Sequence, residues 1–143
     1  MALDGLTAGI DNTLTFTDAN GNLQVVLIEN FTWKYDTNIP KKIAMDGVTR
    51  HPKFWQGISG SLTAFRSTAT LEIYFSQGEA AYLLGGDQIP VTITQTIRNA
   101  DGTFNQWQFV DGVLDLSDGG NYSGQDVVTQ TVAFYASQRI QTV

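Results

Sequence analysis

A single helix signal, set in a chain otherwise punctuated for β-strands, constrains the fold more than any other feature of this sequence. Residues 76–86 begin with a Ser of the type that caps helices, carry a Glu in the first turn and end on two glycines. Ala80, Leu83 and Leu84 fall on one face of the predicted helix. We therefore predict one helix that packs through these three residues as a lid over an apolar opening.

Alternation of apolar and polar residues on both sides of this helix predicts β-strands, with Asx-Gly turns between the runs. About eight strands result. Residues 70–75 are predicted to form one of them, and Asp111-Gly112 is predicted to turn the chain between strands at 103–110 and 113–116. The fold class that follows is mainly β: an antiparallel β-barrel or sandwich with one flanking α-helix.

One predicted strand, residues 55–65, has a clear inward face. The glycines at 57 and 60 predict bulges or the close approach of another backbone. The predicted inward face comprises Ile58, Gly60, Leu62 and Ala64.

The length of 143 residues suits one domain, and we predict a single β domain over residues 1–143. A chain of this size buries roughly 70% of its unfolded surface, which is enough for a core without covalent staples. The absence of cysteine excludes disulfides and thiolate metal sites. Because the first residues lack a secretory signal pattern and no run is long enough to span a membrane, we expect a soluble product made in the cytoplasm.

A long irregular segment, residues 36–53, carries much of the positive charge. Six of the eight basic residues lie between Lys34 and Arg66, whereas residues 1–33 and 99–138 contain acids and no base. Such blocks suit a solvated surface or head-to-tail docking between identical subunits. Irregular segments this long usually serve a function, so we predict an arm that touches a neighbouring copy. Its predicted contact residues are Lys41, Lys42, Met45, Arg50, His51 and Lys53.

No constellation in the sequence points to catalysis, and we predict no enzyme activity, cofactor or metal site. His51 is the only histidine and sits beside Pro52 in a basic loop, where it is expected to face water. The acidic segment 111–126 leaves a calcium loop as a minor alternative, but it lacks the ligand order of an EF-hand, and ordinary turn chemistry explains its aspartates better. A net charge of −6 argues against a grip on nucleic acid.

A series of short motifs runs through about two-thirds of the chain. In chain order they are Met45-Asp46-Gly47-Val48-Thr49-Arg50, Gly57-Ile58-Ser59-Gly60-Ser61-Leu62, Leu71-Glu72-Ile73-Tyr74-Phe75 with Glu79-Ala80-Ala81-Tyr82, Thr94-Gln95-Thr96-Ile97-Arg98-Asn99 with Asp101-Gly102-Thr103, Phe109-Val110-Asp111-Gly112-Val113, Ser117-Asp118-Gly119-Gly120 and Val132-Ala133-Phe134-Tyr135-Ala136-Ser137. This order resembles the tail tube proteins of tailed phages, above all contractile-tailed, myovirus-like ones. That family is similar to the tube-forming protein of type VI secretion.

The resemblance implies a β-barrel-like domain with one flanking helix. Six copies would form a ring, and rings would stack into the inner tube of a virion tail, assembled in the host cytoplasm without a membrane. The implied partners are the chain itself, the tail sheath, tape measure, baseplate and tail terminator proteins. DNA would pass through during ejection without specific binding, and the arm would touch a neighbouring subunit or the next ring.

A tube that passes DNA needs a lumen that neither grips phosphate nor offers apolar patches. We therefore expect polar and acidic side chains to line it. The Thr-rich strand faces Thr92-Thr94-Thr96 and Thr129-Thr131 are candidates for this lining or for the outside of the tube. In the competing view, the basic residues between Lys34 and Arg66 line the bore.

Two other functions stay open at this point. One is a non-enzymatic β-sandwich module that binds glycans or serves as another virion accessory, with Phe104, Trp107 and Phe109 as a platform on which sugars stack. Trp107 and Phe109 share a strand face, however, so we expect at least these two in the core or at a subunit interface. The other is a small hydrolase built on a β-barrel.

Overall fold

The computed structural model describes residues 5–18, 21–23, 27–67, 69–87 and 90–143. Within these ranges, a 3-10 turn, Gly9–Asp11, precedes ten strands and one helix. In chain order these are β1 Asn12–Asp18, β2 Gly21–Leu23, β3 Ile28–Asn38, β4 Lys42–Ile43, β5 Thr49–Arg50, β6 Phe54–Phe65, α1 Thr70–Leu83, β7 Val91–Arg98, β8 Phe104–Asp118, β9 Thr129–Ala136 and β10 Gln138–Gln141. The mainly β class with one helix is confirmed.

Eight of the strands form one curled antiparallel sheet. Its order is β2-β1-β7-β8-β9-β6-β3, and β10 pairs with β8 beside β9. The remaining two, β4 and β5, pair only with each other. Residues 19–20 and 24–26, around β2, lie outside the described residues, but Phe16 pairs with Leu23 as a hairpin requires.

The prediction of a turn at Asp111-Gly112 is wrong, because the chain continues through it as the single long strand β8. Asp111 has φ of 53°, and a Cβ on Gly112 would stand 2.4 Å from the carbonyl oxygen of Val91. A bulge, like a turn, needs a residue with positive φ and a glycine where another backbone comes close. An Asx-Gly pair meets both needs, so the same dipeptide fits either structure. At this bulge β8 changes neighbours: it pairs with β7 up to Gly112 and with β9 from Val113 onward.

The core lies on the concave side of the sheet, where alternate residues of each long strand meet. The predicted inward face of β6 is confirmed, since Ile58, Leu62 and Ala64 are buried. Gly60 on the same face has no room for a side chain, because a Cβ would stand 2.2 Å from the carbonyl oxygen of Thr32. The buried apolar residues are Phe16, Ile58, Leu62, Ala64, Leu71, Val91, Ile93, Phe109, Leu114, Val132, Phe134 and Ala136.

Helix α1 begins at Thr70, six residues before the predicted start, and residues 70–75 are its first turns rather than a strand. Leu71 is buried and Tyr74 and Phe75 pack against the core, a spacing of three and four residues that a helix brings to one face. Ile73, which a strand would have placed beside Leu71, is 53% exposed. The helical period therefore prevailed over the alternating one.

The predicted end of the helix is confirmed. Gly85 has φ of 81° and its N–H donates to the carbonyl of Tyr82, while the N–H of Gly86 donates to the carbonyl of Ala81. These two bonds form a Schellman motif, in which glycine takes the left-handed position at no steric cost.

The predicted packing of the helix through Ala80, Leu83 and Leu84 is not found within the single chain. Leu83 is 73% exposed and Leu84 is 89% exposed, and Ala80 is exposed as well. The helix is longer than expected, so its earlier residues contact the sheet and its last turn extends beyond the core. Any burial of these three residues requires a second molecule.

Candidate assembly surfaces

The segment predicted to be an arm leaves the sheet as a separate hairpin. β3 and β6 stay paired as far as Asn38 and Phe54, and the arm comprises residues 39–53 in the structure. It was expected to be irregular, but Lys42–Ile43 pairs with Thr49–Arg50. Every residue from 41 to 56 is exposed, so the arm extends away from the core of its own chain.

The tip of the arm is an ordered turn. The Gly47 N–H donates to the carbonyl of Ala44, and the Val48 N–H donates to Asp46. Arg50 forms an ion pair of 2.9 Å with Asp46, and its hydrogen bond, with that from Val48, holds the pKa of Asp46 below its usual value. The tip therefore keeps a defined shape without support from the rest of the molecule.

The arm combines positive charge with exposed apolar side chains. Met45 at the tip is fully exposed, and Ile43 and Val48 beside it are at least half exposed. All the predicted contact residues of the arm lie on this exposed hairpin: Lys41, Lys42, Met45, Arg50, His51 and Lys53. Exposed apolar residues grouped in this way are typical of a surface that another molecule covers.

Aromatic rings support the base of the arm. Trp33 packs edge-on against Tyr35 at 5.1 Å between ring centroids, and Tyr35 packs in the same way against Trp55. The ammonium of Lys53 lies 4.2 Å from the Trp55 ring. Sequence reasoning did not predict that these residues meet at the root of the arm.

Arg139 lies between two tryptophans on the concave side of the sheet. Its guanidinium is 4.3 Å from the Trp33 ring and 3.7 Å from the Trp107 ring, both within the range of cation–π attraction. Sequence reasoning assigned no strand to this residue and so missed its role. The alternation of Gln138, Arg139 and Ile140 is the only local signal for the short strand that carries it.

A groove of about 460 Å³ runs beside α1. Apolar and aromatic side chains form most of its floor, among them Phe75, Tyr82 and Leu114. Burial and, to a lesser degree, the negative charge of Asp18 raise the pKa of the Tyr74 hydroxyl in its wall. Its lining residues include three acids, Asp18, Glu79 and Asp87, and no base.

The first turn of α1 is joined to the sheet by a polar network around Glu72. This carboxylate accepts hydrogen bonds from Arg66 at 2.5 Å, from Gln130 at 3.0 Å and from the Tyr122 hydroxyl at 3.3 Å. Gln130 is buried and also donates to the carbonyl of Gly119. The network fixes the position of the helix, and therefore of the groove, relative to β9.

The convex side of the sheet carries hydroxyl and amide side chains in register. Because Val91, Ile93 and Gln95 of β7 are buried, Thr92, Thr94 and Thr96 point the other way. The resulting rows are Thr15-Thr94-Gln108 and Thr13-Thr96-Gln106, and on the other half of the sheet Thr32-Ser61 and Thr63-Thr131.

The structure does not gather a chemical site from the residues considered for one. His51 is exposed on the arm. Phe109 is buried whereas Phe104 is 53% exposed, so the three aromatics do not form one platform. Among the described residues, no three His, Cys, Asp or Glu side chains are grouped so that they could hold a metal ion. No helix in the same ranges is long and apolar enough to cross a membrane.

No protein-family model matches the sequence, and no curated protein matches it. Solved structures do match the fold. One is a chain of the extracellular contractile injection system PVC, from its sheath–tube complex in the extended state, with a TM-score of 0.64 and 11% identity over 90% of this chain and 87% of that one. The chain has a tail-tube-like fold.

Two further structures agree with this assignment. A chain of the PVC sheath/tube terminator in the extended state matches with a TM-score of 0.63 and 12% identity over 91% of this chain and 93% of that one. A chain of the anti-feeding prophage cap, which terminates the tube, matches with a TM-score of 0.62 and 11% identity over 99% of this chain and 94% of that one. At such identities the likeness is one of fold, and the tail-tube-like fold inferred from the motifs is confirmed.

Proposed function

We propose that this chain is a non-enzymatic structural protein that assembles with itself into hexameric rings, which stack as the inner tube of a contractile tail. The observation that carries the proposal is the tail-tube-like fold, shared over nine-tenths or more of this chain with components of contractile injection systems. The proposed partners are the sheath, tape measure, baseplate and tail terminator proteins. Assembly would take place in the host cytoplasm, and the tube would conduct DNA without binding it specifically.

The open edges of the sheet support ring closure. β3 pairs with β6 on one side only, which leaves the other side of an eleven-residue strand without a partner strand in the described sheet. β2, three residues long, is the opposite edge. Exposed edges are a hazard for a monomer, and joining sheets side by side around a closed ring removes it.

The arm supports contacts between rings or neighbouring subunits. It is ordered by its own hydrogen bonds, exposed along its length and apolar at its tip. A contact that uses two different surfaces on identical subunits is heterologous, and such contacts close into rings or continue as open stacks. In the proposed tube, one set of contacts closes each ring and another set stacks the rings.

The convex face of the sheet is the proposed lumen wall. Its rows of Thr, Ser and Gln offer DNA neither a cluster of positive charge nor an apolar patch. Four of the eight basic residues, Lys41, Lys42, Arg50 and Lys53, are on the arm. This arrangement favours a lumen lined by polar side chains over a lumen lined by Lys41, Lys42, Arg50 and Lys53.

Negative-stain microscopy together with size-exclusion chromatography and light scattering tests the proposal. We expect rings or tubes from the purified full-length chain. A variant in which residues 41–51 are replaced by an Asn-Gly turn should retain the circular dichroism spectrum of the β domain and no longer polymerise. A stable monomer at high concentration would exclude the tube, and normal tubes from the shortened variant would exclude the arm as a contact.

A further inference from the structure

The groove beside α1 has the character of a binding site that the described residues leave open. At about 460 Å³ it falls within the range of roughly 300–1,000 Å³ that is typical of ligand pockets. Tyr74, Phe75, Tyr82 and Leu114 give it an apolar lining. Glu79 and Asp87, together with Asp18, make its rim acidic.

The arm has the complementary character. Its tip presents Met45, an unbranched apolar side chain that adapts to irregular pockets, with Ile43 and Val48 beside it. Residues 41–53 contain four bases, Lys41, Lys42, Arg50 and Lys53, against one acid, Asp46. An apolar tip flanked by positive charge is complementary to an apolar groove flanked by negative charge, because the apolar surfaces meet and the opposite charges attract.

The arm and the groove of one molecule are apart. The arm leaves the sheet at Phe54 of β6. Leu114 in the groove pairs with Phe134 of β9, which in turn pairs with Gly60 of β6. Gly60 is six residues from Phe54 along the strand, a distance of about 20 Å. The exposure of residues 41–56 means that the arm does not fold back onto its own chain. The complementary pair is therefore available only between different copies.

We propose that the arm tip of one copy docks into the α1 groove of another copy, with Met45 on the apolar floor and Lys41 and Lys42 facing Glu79 and Asp87. This inference rests on the proposed function, since it names the surface that receives the arm during self-assembly. The contact is heterologous, so each copy offers one arm and one groove, and successive copies join in a continuing series. The exposed last turn of α1, with Leu83 and Leu84, lies at the end of this groove-forming helix and is covered in the same contact.

Disulfide trapping tests the contact directly, because the natural chain has no cysteine. Under mild oxidation, the full-length variant Met45→Cys/Ala81→Cys should form a ladder of covalent multimers on a non-reducing gel. The matched control, Met45→Cys/Thr94→Cys, places the second thiol on the convex face and should form no ladder. Microscopy of the same samples reports whether rings or tubes are present.

Charge reversal gives an independent test. Lys41→Glu/Lys42→Glu should reduce the yield of assembled protein by about tenfold at low salt, because like charges then face each other across the contact. Adding Glu79→Lys/Asp87→Lys to the same chain should restore assembly. The same reversal at two acids away from the groove, Asp115→Lys/Asp126→Lys, should not restore it.

The outcomes separate this inference from the proposed function. Tubes that form without the covalent ladder between residues 45 and 81, or without rescue by Glu79→Lys/Asp87→Lys, would overturn the docking site but not the proposed tube. The same result is expected if another protein of the particle occupies the groove. A monomer under all conditions would overturn both. A ladder that appears together with tubes, and only with the cysteine in the groove, supports the inference.

Discussion

Arg66 and Glu72 face each other across the start of α1, with Nε and one terminal nitrogen of the guanidinium on the two carboxylate oxygens at 2.5 and 3.2 Å. The pair links the chain leaving β6 to the first turn of the helix. Hydrogen bonds from Arg66 are the main cause of a pKa of Glu72 below its usual value, with Gln130 and Tyr122 contributing less.

We expect Glu72→Gln to lower the free energy of unfolding at pH 7. Because the pKa of Glu72 is lower in the folded chain, its contribution is present above the unfolded pKa of about 4.5 and is lost as pH falls through the folded value. Urea unfolding of wild type and variant should therefore differ at pH 7, and the difference should shrink as the pH falls below 4.5 and through the lower folded pKa. A difference that does not change with pH would contradict this assignment.

We expect Gly60→Ala to destabilise the fold by about 1–3 kcal/mol, because the added Cβ would overpack the sheet against the Thr32 carbonyl and the Phe134 ring. Gly119→Ala is the matched control. A Cβ there meets nothing within 4 Å, so its effect should stay within about 0.5 kcal/mol. Chemical unfolding of both variants measures the contrast, and equal effects would show that the sheet accommodates a methyl group at Gly60.

We expect Leu84→Asp to leave the stability of the single chain within about 0.5 kcal/mol of wild type, since this side chain is 89% exposed. Leu71→Ala, at the buried end of the same helix, should cost about 2–5 kcal/mol. The prediction is that Leu84→Asp reduces assembly, measured by light scattering, while thermal unfolding under monomeric conditions is unchanged. Unimpaired assembly would show that the last turn of α1 stays exposed in the tube.

We expect Thr94→Lys/Thr96→Lys to give assembled tubes a salt-sensitive affinity for DNA that wild-type tubes lack. The two side chains lie on the proposed lumen face, and each lysine there adds a contact to phosphate. The control Asn121→Lys/Ser123→Lys adds the same charge to an exposed loop. Equal DNA retention by both variants, in sedimentation assays across a salt series, would remove the convex face as the lumen.

Much of the fold follows from the sequence, because the period of two is strong where one face of a strand is buried. β7 alternates buried Val91, Ile93 and Gln95 with threonines, as the sequence pattern predicts. The first half of α1 was not predicted because its apolar residues fit two periods. Leu71, Tyr74 and Phe75 have the spacing of one helical face. Leu71, Ile73 and Phe75 have the alternating spacing of one strand face. Only the sheet against which the segment packs decides between the two patterns.

The candidate site was predicted in part. Charge blocks and turn residues located the arm, since both are local properties of the chain. The groove that we propose to receive it combines Asp18 of β1, Tyr82 of α1 and Leu114 of β8, residues that only the tertiary fold brings together. The Arg139 sandwich between Trp33 and Trp107 was missed for the same reason.

The bulge at Asp111 and Gly112 also determines how the two halves of the sheet are joined. β8 pairs with β7 before the bulge and with β9 after it. The covalent backbone of one strand therefore belongs to both halves, and we expect the halves to unfold together in a single cooperative transition.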